Sequence, residues 1–327
     1  RSVSIAHPLH CGRIQQAADL LAPDLIVCIG VRHSGSGRPG DYAPFSAARR
    51  VIALGSDVDN LTNMPGLELA LLADERRSLE RLEQLVTSEY EPARYDRRRE
   101  RARAAAAALR SGRRKRLGPP KPVTGRVRPA ALLDVLQDAL ERVGGGLVTT
   151  EQFAAPLDCV KEREDGGAGI YIRPAGGSEG YGMGAPLGAK LAAPDRPVVG
   201  LVGDGSMYYA DSALWTAAHH RVPVLYVIAN NGAYGIVADA FGESGGTMKQ
   251  TGEYAGVALS DIDPVRIAEG FGVEGGHVSD EAHLAAEVAR GLKVVEQEGR
   301  PYLLDVLLPA GLPEGGRAAE PFRLAHK

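Results

Sequence analysis

Two short apolar runs, Val198–Val202 and Val224–Ala229, each stop abruptly at a turn: Gly203-Asp204-Gly205-Ser206 after the first, Asn230-Asn231-Gly232 after the second. Uninterrupted aliphatic runs of this length mark strands buried on both faces, which is the environment of a parallel sheet. Residues 208–220 between them have the length and spacing of a crossover helix. A strand–helix–strand unit returns its second strand parallel to the first. Both turns therefore fall on the carboxyl edge of one sheet, where ligands bind in doubly wound folds. All-helical and purely antiparallel architectures are excluded for this part of the chain.

The rest of the sequence alternates in the same way. Residues 13–22 have helical apolar spacing, Leu25–Gly30 and Arg50–Gly55 read as strands, and residues 76–87 as an amphipathic helix. Residues 96–116 are rich in Arg and Ala and carry no wide apolar stripe, so they read as a solvated connecting helix leading to the Pro-rich linker 118–125. Beyond it come a helix over 129–142, a short strand Leu147–Thr149, helices over 264–272 and 280–298, and a last strand Tyr302–Leu308. The expected fold is α/β with doubly wound parallel sheets. The expected division is a partial domain over 1–95, connecting helix and linker over 96–125, and a complete doubly wound domain over 126–327. The tail after Pro309 is expected to be a mobile cover.

Composition narrows the function classes. The 327 residues hold 38 Lys and Arg against 41 Asp and Glu, a net charge of −3, which argues against a dedicated nucleic-acid or membrane-surface binder. Three cysteines, Cys11, Cys28 and Cys159, lack metal-ligand spacing and suit a reducing compartment. No apolar run approaches a membrane span and no signal peptide opens the chain. A soluble, cytoplasmic protein is expected. The opening at Arg1, without methionine, reads as the interior of a protein.

The chemistry centres on the two turns. Asp204 offers a carboxylate and Asn231 an amide oxygen, hard ligands suited to Mg²⁺ with phosphate oxygens completing the shell. Gly203 and Gly205 let the backbone approach a diphosphate, and Ser206 can donate from the start of the next helix.

Asp204 and Asn231 lie 27 positions apart, and this GDG-to-NN arrangement resembles the thiamine diphosphate motif of the enzymes related to acetolactate synthase and benzoylformate decarboxylase. The run Ser212–Ala218 with Asn230–Gly235 is similar to the benzoylformate decarboxylase side, and Gly176–Gly184 resembles the loop that holds the two cofactor rings. The resemblance implies a diphosphate-binding domain over 126–309, preceded by part of a Rossmann-like central domain in which His7-Pro8-Leu9 and Val51–Asp59 match landmarks. It implies thiamine diphosphate and Mg²⁺ as cofactors. The backbone oxygen of Ala233 would join Asp204 and Asn231 as a metal ligand. Gly177, Ser178, Gly203, Asp204, Gly205, Ser206, Asn231, Ala233 and Tyr234 would contact the cofactor, the Gly177 carbonyl accepting from its 4′-amino group. No flavin is expected, because Leu54–Asp57 replaces the usual acidic strand end. Phe153 and Ala154 stand where decarboxylase relatives carry hydroxyl residues.

The resemblance further implies decarboxylation of a 2-oxo acid, with acetolactate-synthase-like carboligation or a non-catalytic cofactor-binding subunit as alternatives. The family's pyrimidine-binding domain, whose glutamate activates the cofactor, matches nothing here. A partner chain or fragment carrying it is expected, within a homo- or hetero-oligomer, a dimer or tetramer. His33 and Glu179 are the candidate catalytic residues. Glu179 stands where relatives carry a bulky apolar side chain between the cofactor rings. Its carboxyl either turns to a hydrogen-bonding partner or is held protonated by burial, and an acid–base role is the second reading. His219 and His220 fall at a helix end, where the dipole favours them.

Overall fold

The computed structural model describes residues 7–11, 14–31, 45, 48–116, 123–152, 154–155, 169–172, 179–243, 245–259 and 261–319. The chain divides into two units, residues 1–116 and 117–327.

The first unit holds three parallel strands, β1 (Leu25–Ile29), β2 (Arg50–Gly55) and β3 (Leu67–Leu72), in the order β1-β2-β3. Alternate residues Ile26, Cys28, Val51 and Ala53 turn one face inward against Phe45, Leu61 and Met64. On the other face Leu25, Val27, Leu69 and Leu71 stay exposed. The helix Asp96–Arg116 differs from the sequence expectation of a solvated connector. It belongs to the first unit and packs on the helix Ile14–Leu21. Ala106 is fully buried and Arg101 donates to the Leu21 carbonyl at 2.8 Å. Alanines permit that close approach without the wide apolar stripe by which a core helix is usually recognised.

The second unit carries β4 (Gly146–Glu151), β5 (Gly169–Ile172), β6 (Val198–Gly203), β7 (Leu225–Asn230), a short β8 (Glu253–Tyr254), β9 (Glu274–Val278), β10 (Tyr302–Leu307) and a short β11 (Arg317–Ala318). Six of these form a parallel sheet in the order β5-β4-β6-β7-β10-β9, while β11 pairs with β8. Helices Pro129–Arg142 and Glu281–Gln297 cover one face through Leu132, Leu136, Leu140, Leu284 and Val288. Helices Tyr181–Ala192, Ala213–His219 and Pro264–Gly270 cover the other through Met183, Leu187, Leu214, Val265 and Ala268. The chain steps outward from β4 to β5 and then crosses back to β6. Strand order therefore reverses between β4 and β6, and a crevice opens at their carboxyl ends.

Several elements escape the sequence reading, β3, β5 and the helix Gly235–Glu243 among them, and others differ from it. β4 runs on to Glu151, two residues past the expected strand. β9 contains two consecutive glycines, Gly275 and Gly276, which carry no strand propensity. The helix Tyr181–Ala192 contains three glycines and Pro186, a composition that suggests a loop. Close packing explains the glycine at position 182: a Cβ there would lie 2.9 Å from Glu151 and Val202 side-chain atoms. Residues 208–212 form a turn, so the crossover helix is shorter than expected. No helix among the described residues is long and apolar enough to cross a membrane.

Candidate functional site

The crevice at the strand-order reversal is a cavity of about 620 Å³, walled by Gln152, Ala154, Glu179, Gly203–Ser206, Asn231 and Ala233–Val237 and closed below by Leu308–Leu312. Asp204 opens a single helical turn, Asp204–Met207, directly after β6. Its side chain is only 3% exposed. Burial pushes the carboxyl up to about 6, against the pull of backbone amides from Gly205, Asn231, Asp204 itself and Gly232. Two of those amides belong to the turn after β7. The two turns singled out by sequence thus meet through the Asp204 carboxylate.

The second turn is held from several sides. Asn230, the last residue of β7, accepts from the Gly232 amide at 3.0 Å and lies beside the buried Asp305 carboxyl of β10. Asp305 is 1% exposed, and burial raises its carboxyl while Asn230 and His277 favour the ionised form. Asn231 Oδ1 accepts from the Ala233 amide at 3.2 Å, and the Gly311 amide donates to the Asn231 carbonyl at 2.9 Å. A side chain at Gly311 would overlap the Asn231 amide, so the strap Leu308–Leu312 must cross at a glycine. The tail residues expected as a mobile cover include this strap and β11. Ala233 is buried and bridges to Ala258, and Tyr234 presses on Gly205, where a Cβ would come within 2.6 Å of the ring.

Thiamine diphosphate with Mg²⁺ fits these residues. The donors are a buried carboxylate, an amide oxygen and a backbone carbonyl, all hard oxygens, in a mixed set that suits Mg²⁺. Among the described residues no cluster of three or more His, Cys, Asp or Glu competes as a metal site. The backbone at Gly203 and Gly205 stands bare beside them, and Ser206 is 8% exposed.

Glu179 lines the cavity and accepts from Ser206 Oγ at 3.1 Å through Oε2. Its carboxyl group neighbours that of Glu151, a residue that sequence reasoning did not single out. Glu151 is 4% exposed at the end of β4 and accepts from the Gly180 amide at 2.7 Å and from the Gly182 amide. Its carboxyl is raised, first by burial and next by Glu179. An acidic residue ending an apolar strand was the available signal. His33, Gly177, Ser178, Phe153 and Cys159 lie outside the described residues. His219 and His220 sit at a helix end with His219 stacked on Trp215 at 4.7 Å, away from the cavity lining.

Comparison with known proteins agrees with this geometry. Residues 168–306 match the family described as thiamine pyrophosphate enzyme, C-terminal TPP binding domain. Benzoylformate decarboxylase of Pseudomonas aeruginosa is 31% identical over 292 residues, 86% of this chain and 48% of that protein. The acetolactate synthase large subunit of Parasynechococcus marenigrum is 27% identical over 293 residues, 88% of this chain and 44% of that one. The solved thiamine diphosphate-dependent 4-hydroxybenzoylformate decarboxylase of Rhodococcus jostii RHA1 superposes with a TM-score of 0.61 at 27% identity, covering 88% of this chain and 49% of its own. The chain spans about half the length of these relatives.

Proposed function

Because the chain belongs to the thiamine pyrophosphate enzymes through residues 168–306, we propose that it is the diphosphate- and Mg²⁺-binding part of a thiamine-diphosphate-dependent 2-oxo acid decarboxylase. The observation that carries this reading is the buried Asp204 carboxylate drawn against the Asn231 turn at the carboxyl edge of β6 and β7. Asp204, Asn231 Oδ1 and the Ala233 carbonyl would hold Mg²⁺. Gly203, Gly205 and Ser206 would take the diphosphate, with Tyr234 at the wall and Gly177 and Ser178 by family likeness. When bound, thiamine diphosphate supplies an electron sink for breaking a bond next to a carbonyl. The chain's own residues anchor and orient it, and the strap Leu308–Leu312 with Tyr234 keeps water from the anchoring end.

The pyrimidine-binding part comes from another polypeptide or segment in this reading, within an oligomer. The exposed apolar face of β1 and β3, Leu25, Val27, Leu69 and Leu71, supports it, since parallel sheets are covered on both faces. The division into a partial central domain, a connector and a diphosphate-binding domain belongs to the same proposal. Carboligation is the second reading, favoured by the acetolactate synthase relatives.

Calorimetric titration of thiamine diphosphate with Mg²⁺ into the chain tests the proposal. Without the Asp204 carboxylate the Mg²⁺ that would neutralise the diphosphate loses its anionic ligand, a loss of several kcal/mol. The Asp204→Ala variant is therefore expected to bind at least about a hundredfold more weakly. Equal affinity in the two proteins would remove Asp204 from the site and the decarboxylase reading with it.

A further inference from the structure

The carboxyl groups of Glu151 and Glu179 are neighbours, close enough for Glu179 to raise Glu151. An ionised carboxylate only accepts, so a carboxyl–carboxyl hydrogen bond requires a proton between the two. Among the described residues neither member has an ion-pair partner to supply a compensating charge, so one shared proton would relieve the repulsion between two neighbouring carboxyl groups. The groups around the pair define its ends. On the Glu151 side are the amides of Gly180 and Gly182, with the half-buried Tyr181 phenol, which the Glu151 charge raises further. On the Glu179 side are Ser206 Oγ and the open cavity. Glu151 is sealed between β4 and the helix Tyr181–Ala192, whereas Glu179 is exposed. Glu151 is raised first by burial and next by the Glu179 carboxyl, against the pull of its two amide bonds.

We propose that Glu151 and Glu179 form a proton relay into the cavity, Glu151 as the buried holder and Glu179 as the outlet that meets the reacting molecule. The proposal rests on the decarboxylase reading above. Loss of CO₂ from a 2-oxo acid consumes one proton: the bond to the carboxylate breaks, its electron pair stays on the carbonyl carbon, and that carbon gains a C–H bond. The proton must enter the cavity. In the relay, the Glu151 O–H proton passes to a Glu179 oxygen, and Glu179 delivers a proton to the carbon that lost CO₂. Both carboxylates are then ionised, and the pair recovers one proton from water at exposed Glu179. Asp204 and Asp239 also line the cavity: Asp204 is committed to the proposed cation, and Asp239 lies exposed on the helix Gly235–Glu243. A purely structural role for Glu179 would need only its bond to Ser206. That bond does not involve Glu151, whose two amide bonds hold the start of the helix Tyr181–Ala192.

Infrared difference spectroscopy of the purified chain near neutral pH tests the pair without turnover. The expected spectrum contains a protonated-carboxyl C=O band that Glu151→Gln abolishes and Glu179→Gln displaces or abolishes, while Tyr181→Phe leaves it in place. Absence of a band sensitive to Glu151→Gln, or a Glu151 band indifferent to Glu179→Gln, overturns the relay. In the enzyme assembled with its pyrimidine-binding part, Glu151→Gln is expected to lower kcat by about 10²–10⁴-fold with KM nearly unchanged, the range of a lost acid–base group. A kcat within threefold of the parent's overturns it as well. Thiamine diphosphate titrated by calorimetry into the same samples separates the two levels. Binding with no carboxyl band defeats the relay alone, and a carboxyl band with no binding defeats the functional reading on which it rests.

Discussion

Adding a single methyl group at Gly182 sets two effects of known size against each other. In the helix Tyr181–Ala192, Gly→Ala gains about 1 kcal/mol of helix propensity. At position 182 the new Cβ would meet Glu151 Cβ, Glu151 Oε2 and Val202 Cγ1, each at 2.9 Å. Val202 belongs to the buried strand β6, so relief requires the helix to withdraw from the sheet. Overpacking of this kind costs about 1–3 kcal/mol. Withdrawal also weakens the Gly182 amide bond to the Glu151 carboxyl, and a hydrogen bond to a charged or proton-sharing group is worth about 1.5–3 kcal/mol. The costs outweigh the gain, for a net loss of about 1–3 kcal/mol. At about 2–4 °C per kcal/mol for a unit of this size, the melting temperature should fall by roughly 2–12 °C. The same helix supplies the control: Gly184 and Gly188 have nothing within 4 Å of an added Cβ, so Gly184→Ala and Gly188→Ala should hold or raise the melting temperature. Trp215 is the sole tryptophan and lies in the second unit, so its fluorescence reports the relevant transition in a thermal or urea melt. If Gly182→Ala is as stable as Gly184→Ala, the helix does not press on Glu151 and Val202, and the sealing of Glu151 loses its basis.

Two further outcomes follow from the polar network. Glu281 accepts from Arg128 Nε at 2.7 Å and Nη2 at 2.6 Å, tying together the starts of the helices Pro129–Arg142 and Glu281–Gln297. Glu281→Gln should cost about 1–2 kcal/mol at neutral pH in a urea melt. The Arg128 hydrogen bonds hold the Glu281 carboxyl below its ordinary 4.5, so the pair stabilises above that value. As pH falls through the lowered value the contribution is lost, and the parent and variant curves should converge in acid. Asp305→Leu removes the buried carboxyl group beside Asn230, the residue whose side chain accepts from Gly232 in the turn carrying Asn231. Metal affinity, read by Mn²⁺ titration in the presence of thiamine diphosphate, should fall about tenfold or more, the usual effect of losing an outer-shell partner. Unchanged affinity would detach Asp305 from the site.

Asp204 and Asn231 were legible in the sequence because the turn-to-turn motif is local: two buried strands, one crossover and two glycine-bearing ends fix the geometry within a short stretch. The register of β6 on β7 then brings the ends together, as the pattern requires. Glu151 was not legible for the opposite reason. Its partners Gly180, Gly182 and Glu179 lie about thirty positions away. They reach it through a helix whose glycines and proline hide its helical character. The same close packing that calls for Gly182 erases the periodic signal by which a helix is normally found. The helix Asp96–Arg116 has the bounds the sequence suggested and is largely exposed, but its contact with the first unit was not legible: Ala106 is fully buried without the bulk that marks a core position.

Three buried carboxyl groups lie near the carboxyl ends of neighbouring strands: Glu151 on β4, Asp204 after β6 and Asp305 on β10. Burial is the first cause of the raised value at each. Each therefore opposes folding of the chain when ionised, because the folded state favours its protonated form more than the unfolded state does. Such groups are tolerated where the surrounding layers are strongly apolar. Here β6, β7 and β10 contribute fully buried aliphatic residues, from Val198 to Leu304, on both faces. Each carboxyl has a different compensation. Nearby backbone amides favour the ionised Asp204, which faces the proposed cation, Asp305 is bonded by His277 with Asn230 beside it, and Glu151 accepts two amides next to the Glu179 carboxyl. Of the three, Glu151 alone neighbours a second carboxyl group that opens onto the cavity. That asymmetry separates a group placed to bind a cation and a group placed to brace a turn from one placed to move a proton.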